Sequence, residues 1–131
     1  MSAFQTAGVF SGFSVDDIDA ARHFYRETLG LDVRDNPMGF LDIHLPRGGV
    51  ILVYAKPDHT PASFTILNFP VADVEAAVDD LNERGVVTKI YTDPDYGTDA
   101  KGISHGEPGR GPDIAWFTDP AGNVLSVLAE S

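Results

Sequence analysis

The chain has 131 residues, 43% of them hydrophobic and 22% charged, the size and make-up of one soluble domain with a core of its own. It has no cysteine, which excludes disulfides, thiolate nucleophiles and cysteine-held zinc or iron–sulfur centres. A formal net charge of −11 argues against nucleic acid, because phosphate binding needs clustered Lys and Arg, and its field favours a cationic ligand. No apolar run is long enough to cross a bilayer and nothing resembles a secretory segment, so no membrane partner and a cytoplasmic location are expected.

Residues 9–15 alternate loosely and predict a strand ending at Val15. Asp16 or Asp17 offers a helix N-cap. Ile18, Ala21, Phe24, Tyr25 and Leu29 then fall at helical spacing, and Gly30 suits a left-handed C-terminal cap. Residues 31–34 read as the start of a strand. Residues 39–45 and 50–55 read as a hairpin around Pro46-Arg47-Gly48-Gly49. Two prolines mark residues 57–62 as a linker.

A second strand–helix unit follows. Residues 63–69 read as a strand and Asp73 as an N-cap. Val74, Ala77, Val78 and Leu81 repeat the apolar stripe, and Gly85 closes the helix. Residues 86–91 are β-branched and strand-like. Residues 92–112, rich in Gly, Pro and Asp, read as a long loop of the kind that serves as a lid, carrying Tyr96, His105, Glu107 and Arg110. Residues 113–118 and 124–129 form a last hairpin.

The order β-α-β-β-β is therefore stated twice. Phe13-Ser-Val-Asp-Asp-Ile-Asp-Ala-Ala matches Phe69-Pro-Val-Ala-Asp-Val-Glu-Ala-Ala, with Val15 and Val71 in register. The Pro46-x-Gly48 and Pro120-x-Gly122 turns match as well. The expected fold is α+β: one domain over residues 1–131, made of two tandem βαβββ modules (8–56 and 63–131) joined by the 57–62 linker. Each helix has a single apolar face and must pack on one side of its sheet, which leaves the other side to curve around a groove.

Trp116-Phe-Thr-Asp-Pro-Ala-Gly-Asn-Val-Leu, together with Phe24-Tyr25-Arg26 and Leu29-Gly30-Leu31, resembles the vicinal oxygen chelate superfamily of glyoxalases, extradiol dioxygenases and bleomycin-resistance proteins. The resemblance covers nearly the whole chain. It implies metal ligands on the first and last strand of each module, at positions occupied here by Phe10, Leu52, Ile66 and Ser126. Phe, Leu and Ile have no donor atom, and a neutral hydroxyl cannot neutralise a divalent ion. The neighbouring positions do no better, so the resemblance is to a metal-free branch; no metal and no cofactor are expected.

Strand parity then sets the lining of the groove. Leu52 brings Tyr54 with it, Ile66 brings Asn68, and Ser126 faces the same way as its own i±2 neighbours. Trp116 matches an aromatic ligand-contacting position of related transferases, with Phe117 turned towards the helices. Asp42 is the repeat partner of Trp116, and His44 lies two residues on. Phe10, Asp42, His44, Leu52, Tyr54, Ile66, Asn68, Trp116 and Ser126 are thus the candidate ligand-binding residues, an apolar and aromatic surface with a few polar points. His23 and His59 are expected to be exposed; the plainer alternative for Asp42 is a local pairing with an arginine. The reading of function is a metal-independent homodimer that binds a small aromatic or cationic compound. The alternative is a lyase or isomerase of the glyoxalase type working through His44, Asp42 and Tyr54 or through a non-standard metal site.

Overall fold

A computed structural model describes residues 4–91, 97–106 and 111–130. The chain gathers into two units, Met1–His59 and Thr60–Ser131, divided inside the expected linker. Each is built on a four-stranded mixed sheet. Among the described residues no helix is long and apolar enough to cross a membrane.

The first unit comprises β1 (Ser11–Val15), α1 (Ile18–Arg22), β2 (Asp32–Asp35), β3 (Leu41–His44) and β4 (Val50–Ala55). Its sheet order is β1-β4-β3-β2, with β1 parallel to β4 and the other neighbours antiparallel. Phe13, Val15, Val33, Leu41, Ile43 and Val53 alternate onto one face and are buried there. The Asp17 carboxylate caps α1, accepting from the amides of Asp19 at 3.0 Å and Ala20 at 3.1 Å. The helix then departs from the expected regular form and continues as a π-helical segment, His23–Thr28. The Leu29 amide donates to the Phe24 carbonyl, five residues back, at 2.9 Å. The wider turn lets Phe24 and Tyr25, adjacent in sequence, both be buried. The Tyr25 ring lies 5.0 Å from Phe24, edge to face, and 5.8 Å from Phe13 on the sheet. Gly30, at φ 74°, releases the chain in the left-handed conformation that a side chain would resist.

The second unit comprises β5 (Thr65–Val71), α2 (Val74–Glu83), β6 (Ile103–Ser104), β7 (Ile114–Thr118) and β8 (Val124–Ala129), in the order β5-β8-β7-β6. Asp73 caps α2 through the Ala76 amide at 3.1 Å, and Val74, Val78 and Leu81 are buried. Leu125, Val127, Ala115 and Phe117 line the helix-side face of the sheet, where Phe69 stacks on Phe117 at 6.5 Å.

Two expectations fail here. Residues 86–91 form no strand: the Lys89 amide reaches the Trp116 carbonyl at 2.8 Å, but the Tyr91 amide turns to the Thr98 hydroxyl at 2.7 Å. One bond to β7 does not make a ladder. The strand position beside β7 is filled instead by Ile103 and Ser104, opposite Ala115 and Ile114, from within the segment expected to be all loop. The βαβββ order is kept, with its second strand displaced along the chain.

The two Pro-x-Gly turns have one backbone design. Leu45 donates its amide to the Gly49 carbonyl at 3.1 Å, and Asp119 does the same to Asn123 at 3.0 Å. The side chains differ. Asp119 and Asn123 are buried, at 4% and 2% exposure. The Asp119 carboxylate accepts from the amides of Ala121 (3.0 Å) and Asn123 (2.8 Å) and from Asn123 Nδ2 (3.1 Å). Asn123 Oδ1 in turn accepts from the Ala62 amide at 3.2 Å, holding the end of the linker to this turn.

Candidate ligand-binding faces

In each sheet the face away from the helix is made of a cross-strand row and its flanks. In the first unit Asp42 lies opposite Leu52, and Leu52 lies opposite Gly12. His44 lies opposite Val50, and Tyr54 opposite Ser14. Asp42, His44, Leu52 and Tyr54 therefore share one face, all half-buried, while Leu41, Ile43 and Val53 beside them point into the core. A side chain at Gly12 would sit 3.1 Å from the Leu52 carbonyl oxygen, so the row is tight at this point.

The face is charged along β2. Arg34 lies opposite Asp42 in register, but its guanidinium is taken by Asp32, at 3.0 and 3.2 Å. That hydrogen bond holds the Asp32 carboxyl below the usual carboxylate range and the Arg34 guanidinium above its own. Asp42 does not take the alternative of an arginine partner and accepts from Asn36 Nδ2 at 3.2 Å. His59 departs from expectation: it is half-buried, with Nδ1 2.7 Å from the Ser14 hydroxyl. His23 is exposed, as expected.

In the second unit the corresponding row is Trp116, Ser126 and Asn68, each opposite the next across β7, β8 and β5. Ser126 is fully buried, and its hydroxyl donates to Asn68 Oδ1 at 2.6 Å. Trp116 is half-buried and meets the Tyr91 ring edge to face at 5.4 Å, with Lys89 Nζ 5.9 Å from the centre of that ring. Tyr91 and Lys89 went unnoticed in the sequence because residues 86–91 read as an ordinary strand. Phe117 points to the helix side, as expected, at 1% exposure.

Two candidates are not held by the ladders. Phe10 precedes β1 and is 65% exposed. Ile66 lies in a bulge: Thr65 is opposite Val124 and Leu67 opposite Leu125, so Ile66 has no cross-strand partner and its parity with Asn68 does not extend through the ladder. The four positions singled out from the repeat thus hold an exposed ring, a half-buried leucine, an unpaired isoleucine and a serine committed to an amide. This set does not fit a divalent ion, which needs charged oxygens or imidazoles converging on one point. Among the described residues, no group of three or more His, Asp or Glu is arranged to hold a metal.

Of the segment expected to be a lid, Tyr96, Glu107 and Arg110 lie outside the described residues. His105 lies 2.7 Å (Nε2) from an Asp99 carboxylate oxygen and 3.8 Å (Nδ1) from Asp113. The hydrogen bond to Asp99 raises the imidazole above its ordinary value, with desolvation opposing it. Asp99 is held low, first by the Ile103 amide and then by His105.

Comparison with known proteins gives a consistent result. The family described as Glyoxalase/Bleomycin resistance protein/Dioxygenase superfamily matches residues 9–127. TnmS3, an antibiotic binding protein from Streptomyces sp. CB03234, is 26% identical, with a TM-score of 0.65 over 98% of this chain and 100% of that one. A glyoxalase/bleomycin resistance protein from the same organism is 27% identical, with a TM-score of 0.58 over 92% and 99% of the two chains. A superfamily member from Sphaerobacter thermophilus DSM 20745, 23% identical, shares the fold with a TM-score of 0.66 over 94% and 98%. No curated protein matches the sequence.

Proposed function

The chain belongs to the glyoxalase/bleomycin resistance protein/dioxygenase superfamily, and from that premise we propose that it binds a small organic molecule without a metal at the superfamily's usual position. One observation carries this reading: Phe10, Leu52, Ile66 and Ser126 stand where ion ligands are expected, and Ser126 is already spent on Asn68. The likeness to a protein described as antibiotic-binding supports a sequestering role. So does the surface chemistry, since half-buried Leu52, Tyr54 and Trp116 with a few polar groups are what a small-molecule site is made of.

The binding residues are Asp42, His44, Leu52 and Tyr54 on the first sheet, and Asn68 and Trp116 on the second, where buried Ser126 holds the Asn68 amide. The protein works as a homodimer. Light scattering should return about twice the 14.1 kDa chain mass, and a monomeric mass removes that part of the reading.

The test of function is isothermal calorimetry against a panel of aromatic natural products, on protein purified without chelator and assayed for metals. Saturable binding by metal-free protein is the expected result. Stoichiometric nickel, zinc, manganese or iron would instead favour the lyase or isomerase reading through a non-standard metal site.

A further inference from the structure

The row across the second sheet says more than that something binds. Ser126 is completely buried, so its hydroxyl must find an acceptor inside the protein. It finds Asn68 Oδ1 at 2.6 Å. An amide has an acceptor end and a donor end, and the hydrogen bond made by one end fixes what the other presents. With Oδ1 turned to Ser126, the exposed Asn68 offers its two Nδ2 hydrogens outward.

Beyond Ser126 in the same row stands Trp116, with the Tyr91 ring against it and the Lys89 ammonium near that ring. The strand residues of this face include no carboxylate: β7 supplies Ile114, Trp116 and Thr118, and β8 supplies Val124, Ser126 and Leu128. None of the chain's −11 charge is carried by these strand residues.

We infer that the row Trp116–Ser126–Asn68 selects a flat aromatic ligand carrying a hydrogen-bond acceptor, such as a carbonyl or carboxylate oxygen, and discriminates against a cation. The inference rests on the small-molecule reading above and adds its polarity. Trp116 supplies a ring face or edge, Asn68 Nδ2 donates to the ligand oxygen, and Ser126 acts only by holding the amide in that sense. Asn68 is thus a specificity-determining residue and Ser126 a positioning residue.

The experiment uses two probes with one ring system: naphthalene-2-carboxylate and the 2-naphthylmethylammonium ion. Each is titrated into 15N-labelled full-length protein while the Trp116 indole N–H, from the single tryptophan, and the Asn68 side-chain amide are followed. The carboxylate should shift both signals and bind at least about tenfold more tightly than the ammonium. Asn68→Asp keeps an acceptor for Ser126 but presents a carboxylate outward, and should reverse the order. Asn68→Ala should abolish the preference without reversing it, and Ser126→Ala should weaken it by freeing the amide to turn. A wild-type preference for the ammonium, or a preference untouched in both Asn68 variants, overturns the inference while leaving small-molecule binding in place. Failure of both probes to move Trp116 overturns the inference and the binding reading at this face together.

Discussion

The two sheets share a backbone plan and differ in what they present. Asp42–Leu52–Gly12 in the first unit and Trp116–Ser126–Asn68 in the second occupy matching cross-strand places. The first row puts a carboxylate at one end and no side chain at the other. The second puts an indole at one end and an amide at the other. The turns repeat this lesson: Leu45 and Asp119 make the same backbone bond, yet only Asp119 builds a buried polar cluster on it. Duplication fixes where strands run, and side chains at equivalent places are then free to take different work.

The comparison can be broken most forcefully at the core beneath the second row. Phe117→Ala should cost about 4 kcal/mol in urea denaturation, since a buried ring leaves a cavity that rigid strands cannot close; a loss below about 1.5 kcal/mol would mean the row is not backed by that ring. Asp119→Ala should cost roughly 3 kcal/mol, because it strands the buried amides of Ala121 and Asn123. The matching change Leu45→Ala should cost under about 1 kcal/mol, as a half-buried side chain in a turn without a polar cluster. Equal losses at the two turns would erase the contrast between them.

A smaller effect sharpens the two rows. Ser126→Ala should cost about 1 kcal/mol, since the partner amide is exposed and water can replace the hydroxyl. A loss near 3 kcal/mol would show that Asn68 is not solvated as its exposure implies.

The smallest effect is local and pH-dependent. His105 has its imidazole raised by Asp99, so its contribution is complete below the ordinary histidine value of about 6.5 and is lost as pH rises through the higher folded value. Asp99 is lowered, so its contribution is present above about 3.9 and is lost as pH falls through its depressed value. Amide-exchange protection at Lys101 and Ile103, corrected for intrinsic rates, should therefore be greatest in mildly acidic solution and fall above neutrality. His105→Ala should remove the upper limb and, because His105 also helps hold Asp99 low, shift the lower limb to higher pH.

Much of this plan was legible in the sequence because caps and turns are local. Asp17, Asp73, Gly30 and Gly85 act within a few residues of themselves, and each does what its position predicted. The π-helical turn was not legible, because Phe24 and Tyr25 fit an ordinary apolar stripe equally well. Nor was the two-residue β6, too short to show alternation, whose place the β-branched pattern of residues 86–91 predicts for itself. Their backbone is diverted when Tyr91 bonds to Thr98, a partner that periodicity cannot reveal. At the site, parity placed Leu52 with Tyr54 correctly, but it could not show that Asn68 and Ser126 are hydrogen-bonded partners. That required the register between β5 and β8, which lie far apart in the chain.

The bulge at Ile66 gives the second row a tolerance to changes in chain length. Deleting Ile66 would let Thr65 and Leu67, already opposite consecutive residues of β8, become consecutive themselves. Asn68 would stay opposite Ser126. Length variation arriving from the linker can be absorbed at this slack residue, and the amide downstream keeps its aim.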